Sequence, residues 1–178
     1  MKRKTIFLSI IVTLVLGLGG CGSSFEPPFE APEGFSWYSS SQIAFLHRAS
    51  WHETRHRGID LFLQPSPMVG LPNLNVVSGR RDRSFADKDL EEYRAYLETS
   101  LRREAPGATI TNPQRMTETH NEIDVIRFTF TTRLGGATLT QEQVVIQADR
   151  RTVVITFTRA DGASRDFIEE VLEHLIIV

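Results

Sequence analysis

Cysteine is almost missing from the chain: Cys21 is the single cysteine among 178 residues. No intramolecular disulfide is therefore available, and a hydrophobic core of ordinary size must hold the fold. The sequence also lacks a G-x-S-x-G elbow and a phosphate-binding glycine loop, which are the motifs of common serine hydrolases and nucleotide-binding proteins. What is present is a chain of one-domain length with 40% hydrophobic residues.

The chain has no excess of positive charge. Its formal net charge is −2 at pH 7, and removal of residues 1–20, which carry three basic side chains and no acidic ones, lowers it to −5. Binding to nucleic acid requires a basic surface that neutralises phosphates, so we exclude nucleic acid as a partner. The negative net charge also predicts that the protein does not hold a membrane by charge alone.

The longest apolar run lies at the N-terminus, where three basic residues precede the apolar segment 6–18. This pattern is typical of a secretory signal peptide, and the run is too short for a permanent membrane helix. Residues 18–21 read Leu-Gly-Gly-Cys, which resembles the lipobox of bacterial lipoproteins. Such proteins lose the residues before the cysteine, here 1–20, and carry diacylglycerol and a further acyl chain such as palmitate on it. We therefore predict lipidation at Cys21, with a secreted protein that has one spare thiol as the alternative.

A lipid on Cys21 predicts a location in the cell envelope, outside the cytoplasm. Gly22 follows in place of an aspartate, which resembles the signal for the outer membrane, facing the periplasm, in an organism with two membranes. Residues 21–34 are rich in Ser, Pro and Gly and are predicted to be a flexible tether, followed by one domain over 35–178. Phe25 and Phe29 could lie either on the membrane or on the domain.

Three consecutive strands are predicted over residues 123–132, 138–148 and 152–158. In the first, Ile126, Phe128 and Phe130 alternate with polar residues, which predicts a strand with one buried face. The apolar run 153–155 indicates a strand covered on both faces. Earlier strands are predicted over residues 36–39, 42–47, 58–63, 73–78 and 108–116. The pattern predicts an α+β domain built on a central antiparallel sheet.

Two helices complete the prediction. Residues 87–104 carry an apolar stripe at helical spacing, capped by Asp87 or Ser84 and ended by Pro106-Gly107. The second helix follows Ser164 as the cap and has a wide apolar face. The residues predicted to face the sheet are Leu90, Tyr93, Leu97 and Leu101 in the first helix and Phe167, Val171 and Leu175 in the second.

The string His52-Glu53-Thr54-Arg55-His56 matches the H-E-x-x-H pattern of zinc proteases. On a helix the two histidines would share a face and bind zinc, with Glu53 as general base. Arg55 within the string and Gly58 shortly after it oppose a long helix, so we predict a solvated loop. A zinc-dependent hydrolase remains the alternative function.

A mixed apolar and cationic surface is predicted between the proline-rich segment 65–72 and the following loop. Its residues are Met68, Leu71, Arg80, Arg81 and Arg83. Such a surface could bind a protein partner in the envelope, while a long loop without a binding role is the alternative. A periplasmic ligand-binding lipoprotein is a further alternative. No motif for a cofactor is present.

Several segments together resemble the PsbP-like and DcrB-like proteins, a group that includes a Mog-type branch. They are Trp51, the strand 58–63, the segment Leu71-Pro72-Asn73-Leu74-Asn75-Val76-Val77, the helix start Leu90-Glu91-Glu92-Tyr93, and the ending from Val153-Val154-Ile155-Thr156-Phe157 to Phe167-Ile168-Glu169-Glu170-Val171-Leu172. The resemblance implies a single-domain α/β/α sandwich whose central antiparallel sheet is covered by helices. It further implies a non-catalytic accessory, assembly or binding protein, without cofactor and without a binding residue that can be transferred by position.

Overall fold

A computed structural model of the protein describes residues 26–66, 70–80, 89–120, 123–148 and 151–178. Within these ranges the strands are β1 (Phe35–Ser39), β2 (Ile43–Arg48), β3 (His52–Glu53), β4 (Leu61–Gln64), β5 (Asn73–Arg80), β6 (Thr109–His120), β7 (Ile123–Leu134), β8 (Ala137–Ala148), β9 (Arg151–Ala160) and β10 (Ile176–Ile177). The helices are α1 (Leu90–Glu104) and α2 (Asp166–Glu173).

A seven-stranded antiparallel sheet forms the centre, in the order β3-β4-β5-β9-β8-β7-β6. Strands β6 to β9 are neighbours in sequence and in space, which confirms the predicted three-strand meander. Gly135 and Gly136 turn β7 into β8 with φ angles of 57° and 87°, a conformation that favours glycine. A second, three-stranded sheet has the order β1-β2-β10.

Helix α1 covers one face of the central sheet. Its stripe of Tyr93, Leu97 and Leu101 is buried against Phe128 and other residues of β6 to β8, as the periodicity predicted. The Tyr93 ring stacks on Phe128 with centroids 3.6 Å apart. The predicted caps, Asp87 and Ser84, lie outside the described residues, and the cap is instead Asp89. Its side chain accepts from the Glu92 N–H at 2.8 Å in a reciprocal capping box.

Helix α2 and the small sheet together cover the opposite face. Their apolar side chains share one core with the central sheet, formed by Ile43 and Phe45 of β2, Phe167, Ile168, Val171 and Leu172 of α2, and Leu74, Val76, Val144, Ile146, Val153, Ile155 and Phe157 below them. Because Val154 packs on the α1 side, β9 is covered on both faces, as predicted. The α+β prediction with helices on a central antiparallel sheet is confirmed, and the small sheet is an addition to it.

Several local predictions need correction. His52 and Glu53 were predicted in a loop but form β3, whose Cα partners in β4 are Gln64 and Leu63. Leu175 was predicted within the last helix but follows its end, because the chain leaves the helix at His174 to add β10 to the small sheet. Ser164 was predicted as the cap of this helix, but the N-cap residue is Arg165. The Ser164 hydroxyl still accepts a hydrogen bond from the Asp166 N–H at 3.0 Å.

Two strands also have bounds different from those predicted. The strand predicted over residues 58–63 is β4, which starts later because Gly58 has a φ of 79° in a turn. Strand β6 continues beyond the predicted end at residue 116 to His120, and a bulge between Thr111 and Gln114 accommodates Pro113.

Candidate functional site at one end of the sheet

Arg80 and Arg151 lie opposite each other where β5 and β9 reach one end of the central sheet. Along their strands, both arginines lie on the same face as the core residues that pack under α2. They therefore place positive charge at the edge of this apolar core. Arg80 is exposed and Arg151 is half-buried. Of the predicted surface residues, Arg80 is therefore placed at the sheet end, while Met68, Arg81 and Arg83 lie outside the described residues.

Leu71 is the other predicted surface residue that the structure describes, and it is half-buried. The segment before β5 is held to the sheet by Asn73, whose side-chain Nδ2 donates to the Gly70 carbonyl at 2.7 Å. Leu71 thus lies two residues before the start of β5, and Arg80 lies at the end of this eight-residue strand. The structure does not bring these two residues together.

The tether is docked on the domain at Phe29. The Trp37 indole N–H donates to the Phe29 carbonyl at 3.1 Å, and the two rings meet edge to face with centroids 5.2 Å apart. Phe29 also lies 6.3 Å from the His174 ring at the end of α2. The open question about Phe29 is answered: it contacts the domain, although 46% of its surface stays exposed.

The His174 ring that Phe29 contacts lies toward the same end of the central sheet as the two arginines. Arg151 lies opposite Ala148 in β8. At that same end, Ile123 of β7 lies opposite His120 of β6, and the His120 imidazole contacts the Leu175 carbonyl. His174, which Phe29 contacts, directly precedes Leu175. The Gly135-Gly136 hairpin marks the opposite end.

A buried carboxylate, Glu142, ties the start of α2 to the sheet. Its side chain is 3% exposed and contacts Arg127, and Arg165 donates to it at 3.0 Å. Arg127 also reaches Glu118 at 3.0 Å. Burial lowers the pKa of Arg127, but the contacts with Glu142 and Glu118 outweigh it, so the pKa is raised and the guanidinium stays charged. This network was missed because Glu142 is surrounded by polar residues in the sequence.

Polar side chains are also buried on the α1 face, in a row across β5, β9 and β8. The row comprises Asn73, Asn75, Thr156, Thr158, Gln141 and Gln143. Gln141 donates to the Thr158 hydroxyl at 3.2 Å, and the Tyr93 hydroxyl bonds to Gln143. Asn75 Nδ2 has no hydrogen-bond partner among the described residues. Burial raises the pKa of Tyr93 well above its ordinary value, so Tyr93 is a neutral donor here.

A small cavity lies between β2 and α2, beside the rings of Trp51 and Phe167, whose centroids are 5.5 Å apart. Its volume of about 10 Å³ admits about one water molecule. The Arg48–Glu170 ion pair closes its rim. Burial lowers the pKa of His47 in its wall, against the opposing effects of the Arg48 carbonyl and Glu53. The cavity is too small for a ligand of several heavy atoms.

The H-E-x-x-H string does not form a helix. His52 and Glu53 point to opposite faces because they are consecutive strand residues, and the Thr54 N–H continues the pairing to the Phe62 carbonyl at 2.9 Å. The His56 ring packs on Phe62 with centroids 4.8 Å apart. Over the described ranges, no three His, Cys, Asp or Glu side chains are grouped to hold a metal ion. The helical face that the zinc hydrolase hypothesis requires is therefore not formed.

Within the residues that the structure describes, neither α1 nor α2 is long and apolar enough to cross a bilayer.

Comparison with solved structures identifies the fold. The solution structure of cyanobacterial PsbP, CyanoP, from Synechocystis aligns with 90% of this chain and 99% of its own, at a TM-score of 0.68 and 11% identity. A Bacteroides thetaiotaomicron protein aligns with 76% of this chain and 45% of its own, at a TM-score of 0.52 and 13% identity. The fold is therefore PsbP-like, as the resemblance predicted.

A more distant likeness is to LpqN of Mycobacterium tuberculosis, described as involved in cell envelope biogenesis. It aligns with 76% of this chain and 83% of its own, at 14% identity and a TM-score of 0.45. No family model matches the sequence. No curated protein matches it either.

Proposed function

We propose that this protein is a bacterial envelope lipoprotein that acts at the membrane as a non-catalytic accessory, assembly or binding factor. The observation that carries the proposal is the PsbP-like fold, which aligns with nearly the whole of CyanoP. The Leu-Gly-Gly-Cys sequence that ends at Cys21 supports the anchor, because a diacylated and further acylated cysteine holds a protein stably on a bilayer. In an organism with two membranes, Gly22 favours the outer membrane, facing the periplasm.

The roles of the ionisable groups in the described ranges support a non-catalytic function. Glu142 neutralises two arginines, and His56 packs on a phenylalanine. Burial, followed by the charges of Asp60 and Glu53, raises the pKa of Tyr38 to about 12, which is far from the range of a general acid at neutral pH. These groups serve packing and neutralisation within the fold.

We propose that the partner surface is the mixed surface predicted from the sequence. Its cationic members are Arg80, Arg81 and Arg83, and its apolar members are Met68 and Leu71. Arg80 is exposed where β5 ends, and a guanidinium group in that place can bind an acidic group of a partner. A protein partner in the envelope is the occupant that this composition fits.

Crosslinking in native membranes tests this surface. We expect the triple substitution of Arg80, Arg81 and Arg83 by Ser to reduce capture of the partner while the melting temperature stays unchanged. A matched control replaces Arg102, Arg103 and Arg133, which are exposed at the opposite end of the molecule, by Ser. Equal capture by the triple variant and the wild type would show that the mixed surface has no binding role.

A further inference from the structure

We propose that the outer edge of β6 is a self-association site, at which residues 114–118 pair antiparallel with the same residues of a second copy of this chain. The inference rests on the proposed function for the lipid anchor at Cys21, which holds the copies on one bilayer. It goes beyond the mixed surface of the proposed function, because β6 carries none of the residues of that surface.

The two edges of the central sheet differ in length. Among the described strands, β6 pairs only with β7, and it runs for 12 residues, whereas β3 at the opposite edge has two. Folded proteins usually shorten or interrupt an exposed edge, because an unpaired strand can add another strand. The bulge between Thr111 and Gln114, with Pro113, interrupts β6 in its first half. Residues 114–120 then keep a continuous register with β7 and form a regular edge.

This stretch of β6 is accessible on both faces of the sheet. Gln114 and Met116 on the α2 face are exposed, and so are Thr117 and Thr119 on the α1 face. Met116 is 57% exposed and is one of three exposed large hydrophobic residues in the described ranges. Neither helix therefore covers the edge here, and Met116 leaves more than half of its surface in water.

The side chains limit the registers in which two β6 strands can pair. Residues opposite each other in an antiparallel pair point to the same face, so a two-fold axis must pass through a residue rather than between two. An axis through Arg115 or Glu118 would place like charges directly opposite each other, which is unfavourable. An axis through Thr117 would place Met116 opposite a carboxylate. An axis through Met116 instead places the two exposed Met116 side chains together, away from water.

The register with its axis at Met116 also pairs the polar groups. It places Gln114 opposite the second copy's Glu118, once on each side of the axis, and Arg115 opposite the second copy's Thr117. The Gln114 amide donates to the Glu118 carboxylate in this arrangement, and the same carboxylate accepts from Arg127 of its own chain at 3.0 Å. The stretch 114–118 is therefore complementary to itself in charge and in apolar surface.

The symmetry of the pair fits two copies that are anchored in one bilayer. A two-fold axis through Met116 stands perpendicular to the sheet, so the α2 faces of both copies lie on the same side. Phe29, at which the tether is docked, contacts Trp37 and His174 on that side. The contact over 114–118 is small and belongs to the weak class of interfaces, which gain from copies that are attached to the same surface.

Disulfide crosslinking in the native membrane tests the pairing with the lipidated full-length product. Lipidation blocks Cys21, so each variant has one free thiol. Met116→Cys places two Cα atoms about 5 Å apart, within the range of a disulfide, whereas Thr117→Cys places them diagonally at about 7–8 Å, beyond it. Thr111→Cys is the matched control, because it is exposed on the same face of the same strand and lies about 30 Å from its copy.

We expect Met116→Cys to give a dimer that a reducing agent separates, in several-fold higher yield than Thr117→Cys and with none from Thr111→Cys. A yield from Thr117→Cys or Thr111→Cys that equals the yield from Met116→Cys would overturn the proposal, as would the absence of a Met116→Cys dimer. A crosslinked wild type would show that Cys21 is free, which overturns the anchor on which the inference rests and is distinguishable from the other outcomes.

A change of charge tests the register without altering the crosslinked position. In the Met116→Cys background, Gln114→Glu places a carboxylate opposite each Glu118. We expect the dimer yield to fall about tenfold, because two like-charge pairs replace two favourable pairs. Asn112→Asp adds the same charge at an exposed position outside the paired stretch and should leave the yield unchanged. An undiminished yield from the Gln114→Glu variant would overturn the proposal.

Discussion

The two faces of the central sheet are covered in different ways. The α1 face is built from neighbours in sequence, because α1 directly precedes β6, the first strand of the meander that it covers. The α2 face is built from both ends of the domain, since β1 and β2 come first in the sequence and α2 and β10 come last. The first face can therefore form from local contacts, whereas the second requires the chain ends to meet.

The faces also differ in how they bury polar groups. On the α1 face, neutral amides and hydroxyls bond to one another below Tyr93, while on the α2 face one carboxylate, Glu142, holds two arginines. A hydrogen bond between neutral groups contributes about 1 kcal/mol to the free energy of unfolding, and a hydrogen bond to a charged group contributes about 2 kcal/mol. We expect single substitutions in the charged network to cost more than those in the neutral row.

The largest effect is expected where each helix inserts a large side chain into its own face. Phe167→Ala on the α2 face should lower the free energy of unfolding by about 3–5 kcal/mol, and Leu97→Ala on the α1 face by about 2–5 kcal/mol. Both residues are at least 92% buried. Urea unfolding measures the change. Thr129→Ala, on a half-buried strand residue, is the control and should cost less than about 0.5 kcal/mol. A near-neutral result for either helix would mean that it does not cover its face.

An intermediate effect is expected in the charged network. Glu142→Gln should lower the free energy of unfolding by about 2–3 kcal/mol, because it leaves the Arg127 guanidinium, only 12% exposed, without its buried counter-charge. Tyr93→Phe removes a neutral bond on the other face and should cost about 1 kcal/mol. Urea unfolding of both variants compares the faces directly. If Tyr93→Phe lowers the free energy of unfolding more than Glu142→Gln does, the charged network does not contribute more than the neutral row.

A smaller effect is expected at alkaline pH, where each face holds a tyrosine with a raised pKa. The pKa of Tyr38 is about 12 in the fold, against 10.0 ordinarily. Its stabilisation is complete below pH 10 and is lost as the pH rises toward 12, because the unfolded chain releases the proton first. Between pH 9 and pH 11 this loss amounts to about 1 kcal/mol after allowance for partial exposure.

The check is unfolding in urea across this pH range. Tyr38→Phe should flatten the alkaline decline, and Tyr38→Phe combined with Tyr93→Phe should flatten it further. A decline of unchanged slope in the double variant would show that other groups cause it.

The elements whose formation depends on local sequence patterns were predicted correctly. The stripe of Tyr93, Leu97 and Leu101 and the alternation of Phe128 and Phe130 each report one element and its buried face, and both proved correct. The small sheet could not be predicted, because β10 is two residues long and pairs with β2 from the other end of the domain. The cap at Asp89 was missed because several acidic and hydroxyl residues precede α1 and the pattern does not select one.

The candidate site was only partly predictable for the same reason. The arginine-rich segment was visible in the sequence, and Arg80 lies at an exposed strand end. Its relation to Arg151 depends on strand register, and the docking of Phe29 depends on Trp37 and His174, which are distant in sequence from one another. The H-E-x-x-H string shows that a sequence motif can also mislead. Its two histidines could bind zinc together only on a helix, and its first two residues form a strand.

Metabolic labelling with a fatty acid tests the central claim, the lipid anchor, most directly. The protein is expressed in a bacterium with its signal segment intact, as wild type and as Cys21→Ser, and each is isolated and examined for label. We predict label on the wild type and none on the variant, which should accumulate as precursor or as a form free of the membrane. Equal labelling of the two proteins, or an unlabelled wild type, would contradict the account.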